Sequence, residues 1–255
     1  MTYTPEWLAL REPVDAESRA TELLDPLRVA LGPAAGLVIH DLGCGSGSQA
    51  RWLSGRLPGP QRWVLHDEDP RLLALAETSL DVPVEIRQGD IGDLRAEDLA
   101  GASLVTGSAL LDLFTTEQLN GLVSAIVEAG VPALFTLSVA GRIDLDPAED
   151  LDAGFEAAFN DHQRRHGLLG PDAPAATTEA FERHGYRVIT RPSTWRLGPD
   201  RPELTTEWLH GWVGAAVEQQ PRLAADAPEY LRRRQATGFR ALVHHVDQLA
   251  LPGAG

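Results

Sequence analysis

The chain contains no lysine; all 22 of its lysine-plus-arginine cations are arginine. Imine chemistry with pyridoxal phosphate needs a lysine amine and is excluded. The loop of P-loop nucleotidases needs G-x-x-x-x-G-K and is excluded as well. So is the tyrosine–lysine pair through which short-chain dehydrogenases move protons. Cys44 is the single cysteine, so no internal disulfide forms and no thiolate cluster holds zinc or iron–sulfur. No metal site is expected. No run of about 18 apolar residues occurs, so no membrane-spanning helix and no membrane partner are expected. The opening MTYTPEWLALREPVD lacks a basic segment followed by an apolar one, which makes a cytoplasmic protein the expectation.

Positive charge is scarce: the formal net charge is −15. An acidic chain is repelled by phosphate backbones unless its cations cluster. The densest basic runs, Arg164-Arg165 and Arg232-Arg233-Arg234, sit among helical patterns with acids nearby, and they read as solvated helix faces. No nucleic-acid partner is expected.

What is present is enough for a sizeable core. With 255 residues and 43% hydrophobic content, one domain over residues 1–255 is expected. An N-terminal helical cap is assigned to residues 1–33. Pro13 is expected to open a helix whose Ala16, Ala20, Leu23 and Leu24 share a face, with Asp25-Pro26 interrupting it and Gly32-Pro33 ending it. From Leu37 strands and helices alternate. Strands are expected at 37–42, 62–66, 84–87, 103–106 and 133–139. Ser46–Leu57 reads as a helix, and Asp69-Pro70 reads as N-cap and first helical residue of the next. Thr115 and Gln118 form a capping-box pattern. Alternation of this kind predicts an α/β, doubly wound, mostly parallel sheet with ligands at the carboxyl ends of its strands. A sixth strand at 186–190 and a seventh at 241–251 complete a seven-stranded sheet. Residues 37–139 form the core. Residues 141–175 and 198–237 are helical insertions, and the charged run Asp144–Asp152 is expected to be a solvated loop and helix start.

The organising stretch is Leu37–Ala50, LVIHDLGCGSGSQA. A strand, a glycine turn and a helix start make a ligand seat, because glycines admit close approach to the backbone. Gly45, Gly47 and Ala50 fit the G-x-G-x-x-A form of nicotinamide-binding loops. Three features oppose that reading. Asp41 stands immediately ahead of the turn, where a pyrophosphate would be repelled. The fuller pattern is D-x-G-x-G-x-G, running from Asp41 through Gly43, Gly45 and Gly47. Acids recur at the next two strand ends, Asp67 and Asp90. Cys44 is expected to be a small filler, and Asp69 only a helix cap.

HDLGCGSGSQ resembles the first motif of the class I S-adenosylmethionine-dependent methyltransferases. VLHDEDPRLLALA, IRQGDIGDL and SLVTGSALLDL resemble the three segments that follow it. The resemblance is specific over residues 37–112 and looser to Val139. It implies a Rossmann-like fold, S-adenosyl-L-methionine as cofactor and roles by position. Asp41, Gly43, Cys44, Gly45, Ser46 and Gly47 would line the methionine part. Asp67 would accept from both ribose hydroxyls, with Glu68 beside the adenosine. Asp90 would accept from the adenine amino group, with Ile91 against the ring. Thr106, Gly107 and Ser108 would contact the methionine end. The acceptor would lie under the added helices. His162 is the candidate general base. Arg11, Asp112, Asn160, His166, Trp208 and Trp212 are candidate substrate residues. No Asn-Pro-Pro-aromatic motif follows the fourth strand and no Pro-Cys nucleophile exists. The expected acceptor is therefore a small molecule, of a secondary-metabolic kind. The alternatives are a nicotinamide-dependent oxidoreductase and a non-catalytic cofactor-binding protein of the same fold.

Overall fold

The computed structural model describes residues 4–33 and 36–253; the first three residues of the expected cap lie outside them. One mixed sheet organises the chain. Its strands are β1 (Leu37–Leu42), β2 (Gln61–Asp67), β3 (Val84–Gln88), β4 (Leu104–Ser108), β5 (Ala133–Asp146), β6 (Arg187–Pro192), β7 (Trp195–Leu197) and β8 (Arg240–Leu251). Their spatial order is β3-β2-β1-β4-β5-β8-β6, with β7 on the outer part of β8. The first five strands pair in parallel, and β8 runs antiparallel to β5, β6 and β7. The alternating pattern therefore predicted the architecture. The strand it missed is β7, too short at three residues to show a period.

Helices cover both faces. α2 (Leu24–Leu31), α3 (Ser48–Ser54) and α4 (Pro70–Thr78) pack Leu27, Leu53 and Leu73 onto Ile39, Trp63 and Leu65. α5 (Thr116–Ala129) and α7 (Ala173–Arg183) pack Leu122, Ile126 and Phe181 onto Leu42, Val105 and Phe135. Each large apolar side chain buried this way contributes roughly 1.5–3 kcal/mol. The capping box forms: Gln118 N donates to Thr115 Oγ1 at 3.3 Å and Thr115 N to Gln118 Oε1 at 2.9 Å. Asp69 caps α4 by accepting from Arg71 N at 2.9 Å.

A third apolar cluster stands beyond the strand ends. It joins α1 (Pro5–Ser18), α6 (Asp152–Gln163), α8 (Pro202–Gln219) and α9 (Ala227–Thr237) around Phe155, Leu209, Trp212 and Tyr230. β5 supports it by continuing well past Val139, where the sequence reading ended it. Register shifts after Phe135 and Val139 interrupt the pairing of β5 with β8, and the pair runs on beyond the last residue of β5 paired with β4, Thr136, under the helices. Asp144–Asp146, expected in a loop, are strand residues for this reason.

The N-terminal helix also differs from expectation. Pro5, not Pro13, occupies the first turn, and Thr4 Oγ1 accepts from Trp7 N at 3.2 Å as the cap. Pro13 lies inside α1, where it forgoes one backbone bond. Asp25-Pro26 does not interrupt a helix; it sits in the first turn of α2, where a missing N–H is harmless. The break falls at Arg19-Ala20. Downstream, α3 is shorter than the expected Ser46–Leu57, because Gly47 adopts a left-handed conformation and caps it.

Buried on the α5 face, His40 Nδ1 and His66 Nε2 lie 3.0 Å apart. Burial, then the facing His66, pushes His40 down to about 4; burial, then Arg87, pushes His66 to the same value. Folded-state values below the ordinary 6.5 mean that the unfolded chain binds protons the folded one refuses. The pair's contribution is complete above pH 6.5 and is lost as pH falls toward 4. Asp41, which burial raises to about 8, acts in the opposite sense across this range, so the raw pH slope mixes the two. The difference between wild type and a His40→Leu/His66→Leu variant isolates the pair. Between pH 7.5 and pH 5 the wild type is expected to lose on the order of 2 kcal/mol per ring relative to the variant, read from urea midpoints. A difference that does not move with pH rules out neutral buried rings.

Candidate functional site

In the sheet order, β1 and β4 are neighbours although three strand–helix units separate their departures from the sheet centre. At this switch point the connections leave in opposite directions and open a crevice at the strand ends. The registers align those ends: Leu42 pairs with His66 and Gly107, and Asp67 pairs with Gln88. Gly43, Asp67, Gly89 and Ser108 therefore converge on one cavity of about 320 Å³.

The turn after β1 requires its glycines. Gly43, Gly45 and Gly47 have φ of 59°, 53° and 88°. At Gly47 an added Cβ would also stand 3.2 Å from Ala76 Cβ and 3.3 Å from Ala76 Cα, so α4 leaves no room for one. Asp67 clamps the turn from β2. One carboxylate oxygen accepts from Gly45 N at 2.9 Å and the other from Asp69 N at 3.0 Å. Each oxygen keeps a further lone pair, and Asp67 lines the cavity. Arg51 fastens α1 across the turn: it donates to Glu12 at 2.8 Å and 2.5 Å and to Ser46 O at 2.6 Å. Leu8 of α1 thereby lies over Gly45, 3.4 Å from where a Cβ would stand.

Most residues expected at a cofactor meet here. Gly43, Cys44, Gly45 and Ser46 line the cavity from the turn; Asp67 and Glu68 follow β2, Asp90 and Ile91 follow β3, and Ser108 ends β4. Asp90 gives one oxygen to Gly92 N at 2.8 Å. Gly47 lies behind the surface, against α4. Thr106 is buried, donating to Leu134 O at 2.8 Å and accepting from Gln49 Nε2 at 2.9 Å. Gly107 is packed beneath Leu110. Asp41 is fully buried behind the turn, and neither of its oxygens has a partner. Burial raises its carboxyl to about 8, with Arg19 opposing. Burial also pushes the Cys44 thiol up, which suits a filler and not a nucleophile.

The expected acceptor residues scatter. Arg11 lines the cavity, but its guanidinium is held by Asp15 at 2.9 Å and 3.1 Å and lies 4.9 Å from the Trp195 ring. His162 does not reach the cavity. It is buried between α6 and α8, with Nε2 3.1 Å from a Glu218 oxygen. Its apolar neighbours belong to the cap core and not to a ligand. Asn160 donates to Gly141 O at 2.6 Å, and His166 is an exposed turn residue with φ of 58°. Trp208 and Trp212 do stack, with centroids 5.6 Å apart, but inside the cap core. Asp112 is half-buried beside the cavity-lining loop. One of its oxygens lacks a partner, and burial raises it to about 6.

Sequence reading missed Leu8, Asp15, Ser48, Gln49, Leu110 and Phe114, which line the cavity, and Arg19 behind it. For Leu8, Asp15 and Arg19 the signal was available. Leu8, Arg11, Asp15 and Arg19 follow i, i+3, i+7 and i+11 on one face of α1. Starting the helix at Pro13 hid that face.

Chemically, the lining holds five carboxylates (Asp15, Asp67, Glu68, Asp69, Asp90) against one arginine. Such a cavity attracts cations and repels pyrophosphate. It offers an acceptor pair for vicinal hydroxyls at Asp67.

A protein-family model described as "Methyltransferase domain" matches residues 39–132. No curated protein matches the chain. Among solved structures, the YcgJ protein from Bacillus subtilis is 12% identical, with a TM-score of 0.54, over 92% of this chain and all of that one. A putative methyltransferase from Bacillus halodurans is 14% identical, with a TM-score of 0.54, over 91% of this chain and 99% of that one. Phosphoethanolamine N-methyltransferase 2 from Haemonchus contortus, solved with phosphomonomethylethanolamine and S-adenosylhomocysteine, is 15% identical with a TM-score of 0.51. That match covers 99% of this chain and 59% of the other. At these identities the likeness is one of fold.

Proposed function

We propose, on the premise that residues 39–132 belong to the methyltransferase-domain family, that the protein is an S-adenosyl-L-methionine-dependent methyltransferase acting on a small molecule. The observation that carries this is the Asp67 clamp: a carboxylate that holds the glycine turn with one oxygen and the start of α4 with the other, keeps a further lone pair on each, and lines the cavity. A ribose diol fits it, since two adjacent hydroxyls donate to two acceptor oxygens. The acidic lining suits a ligand carrying ammonium and sulfonium charges.

The bound cofactor supplies an activated methyl group for in-line displacement. The chain's task is then to align, enclose and desolvate. The glycine turn and Asp67 hold the donor's body. Leu8, pinned through Glu12 and Arg51, covers it. Ala109, Leu110, Leu113 and Phe114 form the apolar wall beside Ser108, where a small acceptor would pack. His162 does not reach this wall, and Asp15 is tied to Arg11 and to Trp195 Nε1; Asp112, in the same loop, keeps one oxygen without a partner. The geometry supports an acceptor that is nucleophilic without help from a histidine.

Calorimetry with S-adenosylhomocysteine and NADH tests the donor. Micromolar or tighter binding of S-adenosylhomocysteine with no response to NADH is expected; the reverse would establish the oxidoreductase reading. Donor binding without methyl release across a broad panel of amines, phenols and carboxylates would instead establish a non-catalytic cofactor-binding protein.

A further inference from the structure

Asp247, on β8, is 1% exposed and does not line the cavity. It stands opposite a β-bulge. Phe135 pairs with Gln248 and Ser138 with Val246, so two residues of β5, Thr136 and Leu137, face this single residue of β8. A bulge interrupts the ladder and re-aims the strand that carries it. Here Leu137 N takes Asp247 Oδ1 as its acceptor at 2.7 Å, and Ala20 N, just beyond the end of α1, donates to Oδ2 at 2.8 Å. One buried carboxylate therefore joins the end of α1, the bulge of β5 and β8. Arg19 closes the junction, with Nε 3.5 Å from Thr136 Oγ1. Burial pushes the Asp247 carboxyl up, and its hydrogen bonds and the Arg19 guanidinium oppose the rise.

Both joined segments lead into the cavity. α1 brings Leu8, Arg11 and Asp15 to one side of it. On the other side Thr136 O accepts from Ala109 N at 2.9 Å, and Thr136 Oγ1 donates to Gln49 Oε1 at 3.2 Å. Ala109 and Gln49 both line the cavity. Leu137 and Ala109 have φ of 57° and 51°, in the left-handed region that residues with a Cβ avoid. Such conformations persist only where the surroundings over-determine them, and they gather at functional sites. Thr136 stands between the two: its carbonyl holds Ala109, and Asp247 holds the residue that follows it.

We propose that Asp247 is a positioning residue for the donor, holding α1 against the β5 bulge and so fixing the spacing between the α1 wall and the Ala109–Gln49 wall of the cavity. The inference rests on the donor reading above and adds to it a residue outside the cavity. An aspartate suits the position because both of its oxygens accept. An asparagine keeps one acceptor and turns an NH2 donor toward the other backbone N–H. With α1 held, an enclosed ligand leaves only when the wall opens.

The test compares wild type, Asp247→Asn and Arg234→Ala. The last removes a buried network around Pro147 and Asp152 and serves as a lesion of stability alone. All three are kept folded in the cold with trimethylamine N-oxide, with circular dichroism as the check. In Asp247→Asn the Kd for S-adenosylhomocysteine is expected to rise about tenfold, through a faster dissociation rate. In the same variant without ligand, the amides of Leu8–Arg19 should exchange hydrogen about tenfold faster while β1–β3 stay unchanged. Arg234→Ala should do neither. In the wild type itself the Ala20 amide should be as protected as those of α1, and rapid exchange there overturns the anchor without any variant. Binding within twofold of wild type in Asp247→Asn, unchanged exchange in α1, or an equal loss of affinity in Arg234→Ala each overturn the positioning role and leave the donor reading standing. Failure of the wild type to bind S-adenosylhomocysteine overturns the donor reading and the role together.

Discussion

Asp67→Ala is expected to weaken S-adenosylhomocysteine binding by two to three orders of magnitude. The residue does two jobs at once. Its oxygens accept from Gly45 N and Asp69 N, which fixes the path of the glycine turn and the start of α4. The same oxygens carry the lone pairs offered to a ribose diol. Losing hydrogen bonds to a charged partner costs roughly 1.5–3 kcal/mol each. A relaxed turn also raises the entropy lost on binding. Two ribose contacts alone therefore amount to about 3 kcal/mol, or a factor of more than 100. Asp67→Asn separates the roles. It keeps one acceptor oxygen and substitutes a donor for the other, so it should retain the far-UV spectrum of the wild type and lose about half of the binding free energy at stake. The measurement is a calorimetric Kd beside a circular-dichroism melt. A loss of less than tenfold in Asp67→Ala removes the carboxylate from the ribose position.

The largest effect on stability is expected far from the cavity, at Arg234→Ala. This side chain is fully buried in the helical cap. It holds Asp152 and the Pro147 carbonyl, stands 3.4 Å from a Glu149 oxygen, and lies 5.1 Å from the Tyr230 ring. Tyr230 reaches the same Asp152 oxygen at 2.7 Å. Removing one partner from a buried charge network leaves the other uncompensated, which typically costs about 3–5 kcal/mol. The void beside Tyr230 and Phe239 adds to that. The loss should appear as a lower urea midpoint with most of the slope retained. Arg234→Met should recover part of the packing without restoring the charge balance. Below 30 °C the donor Kd of the folded fraction should stay within about twofold of wild type, because α9 does not touch the cavity. A stability change under about 1 kcal/mol would mean that the network is solvated and contributes little.

Arg232-Arg233-Arg234 illustrates what a linear pattern conceals. The run was expected to be a solvated helix face, and that holds for Arg232, which pairs with Glu229 one turn away. Arg234 instead points into the cap, because α9 packs against the start of α6, 82 residues earlier. Charge composition cannot separate the two cases; the direction of a side chain on a helix depends on what the helix meets.

His162 carries the same lesson for function. Its position on the apolar side of α6, beside Phe155 and Phe159, suited either a ligand-facing base or a core residue. The docking of α8 onto that face decided the matter by supplying Glu218 as its partner. Trp208 and Trp212, candidate substrate residues, stand at i, i+4 spacing on α8. The spacing does produce the stack, but on the side of α8 that meets Phe155 and Tyr230.

The residues readable in advance are those whose role is set by a few neighbours along the chain. The glycine turn needs positive φ at set positions, Asp69 and Thr115 cap the helices that directly follow them, and the acids at 67 and 90 mark the ends of apolar strands. These signals are short-range, and the parallel alternation that carries them implies the switch point where they converge. Sequence alone thus determined the class of fold, the turn after β1 and the acidic side of the cavity. Tertiary structure decided everything that depends on two distant segments meeting. It set α1 across the turn through Glu12 and Arg51, buried Arg19 behind two serines that lie 60 residues apart in the chain, and turned the histidine and tryptophans of the cap inward. The physical reason is that strand and turn preferences are local free energies, whereas the partner of a helix face is chosen only when burial of the whole chain is optimised at once.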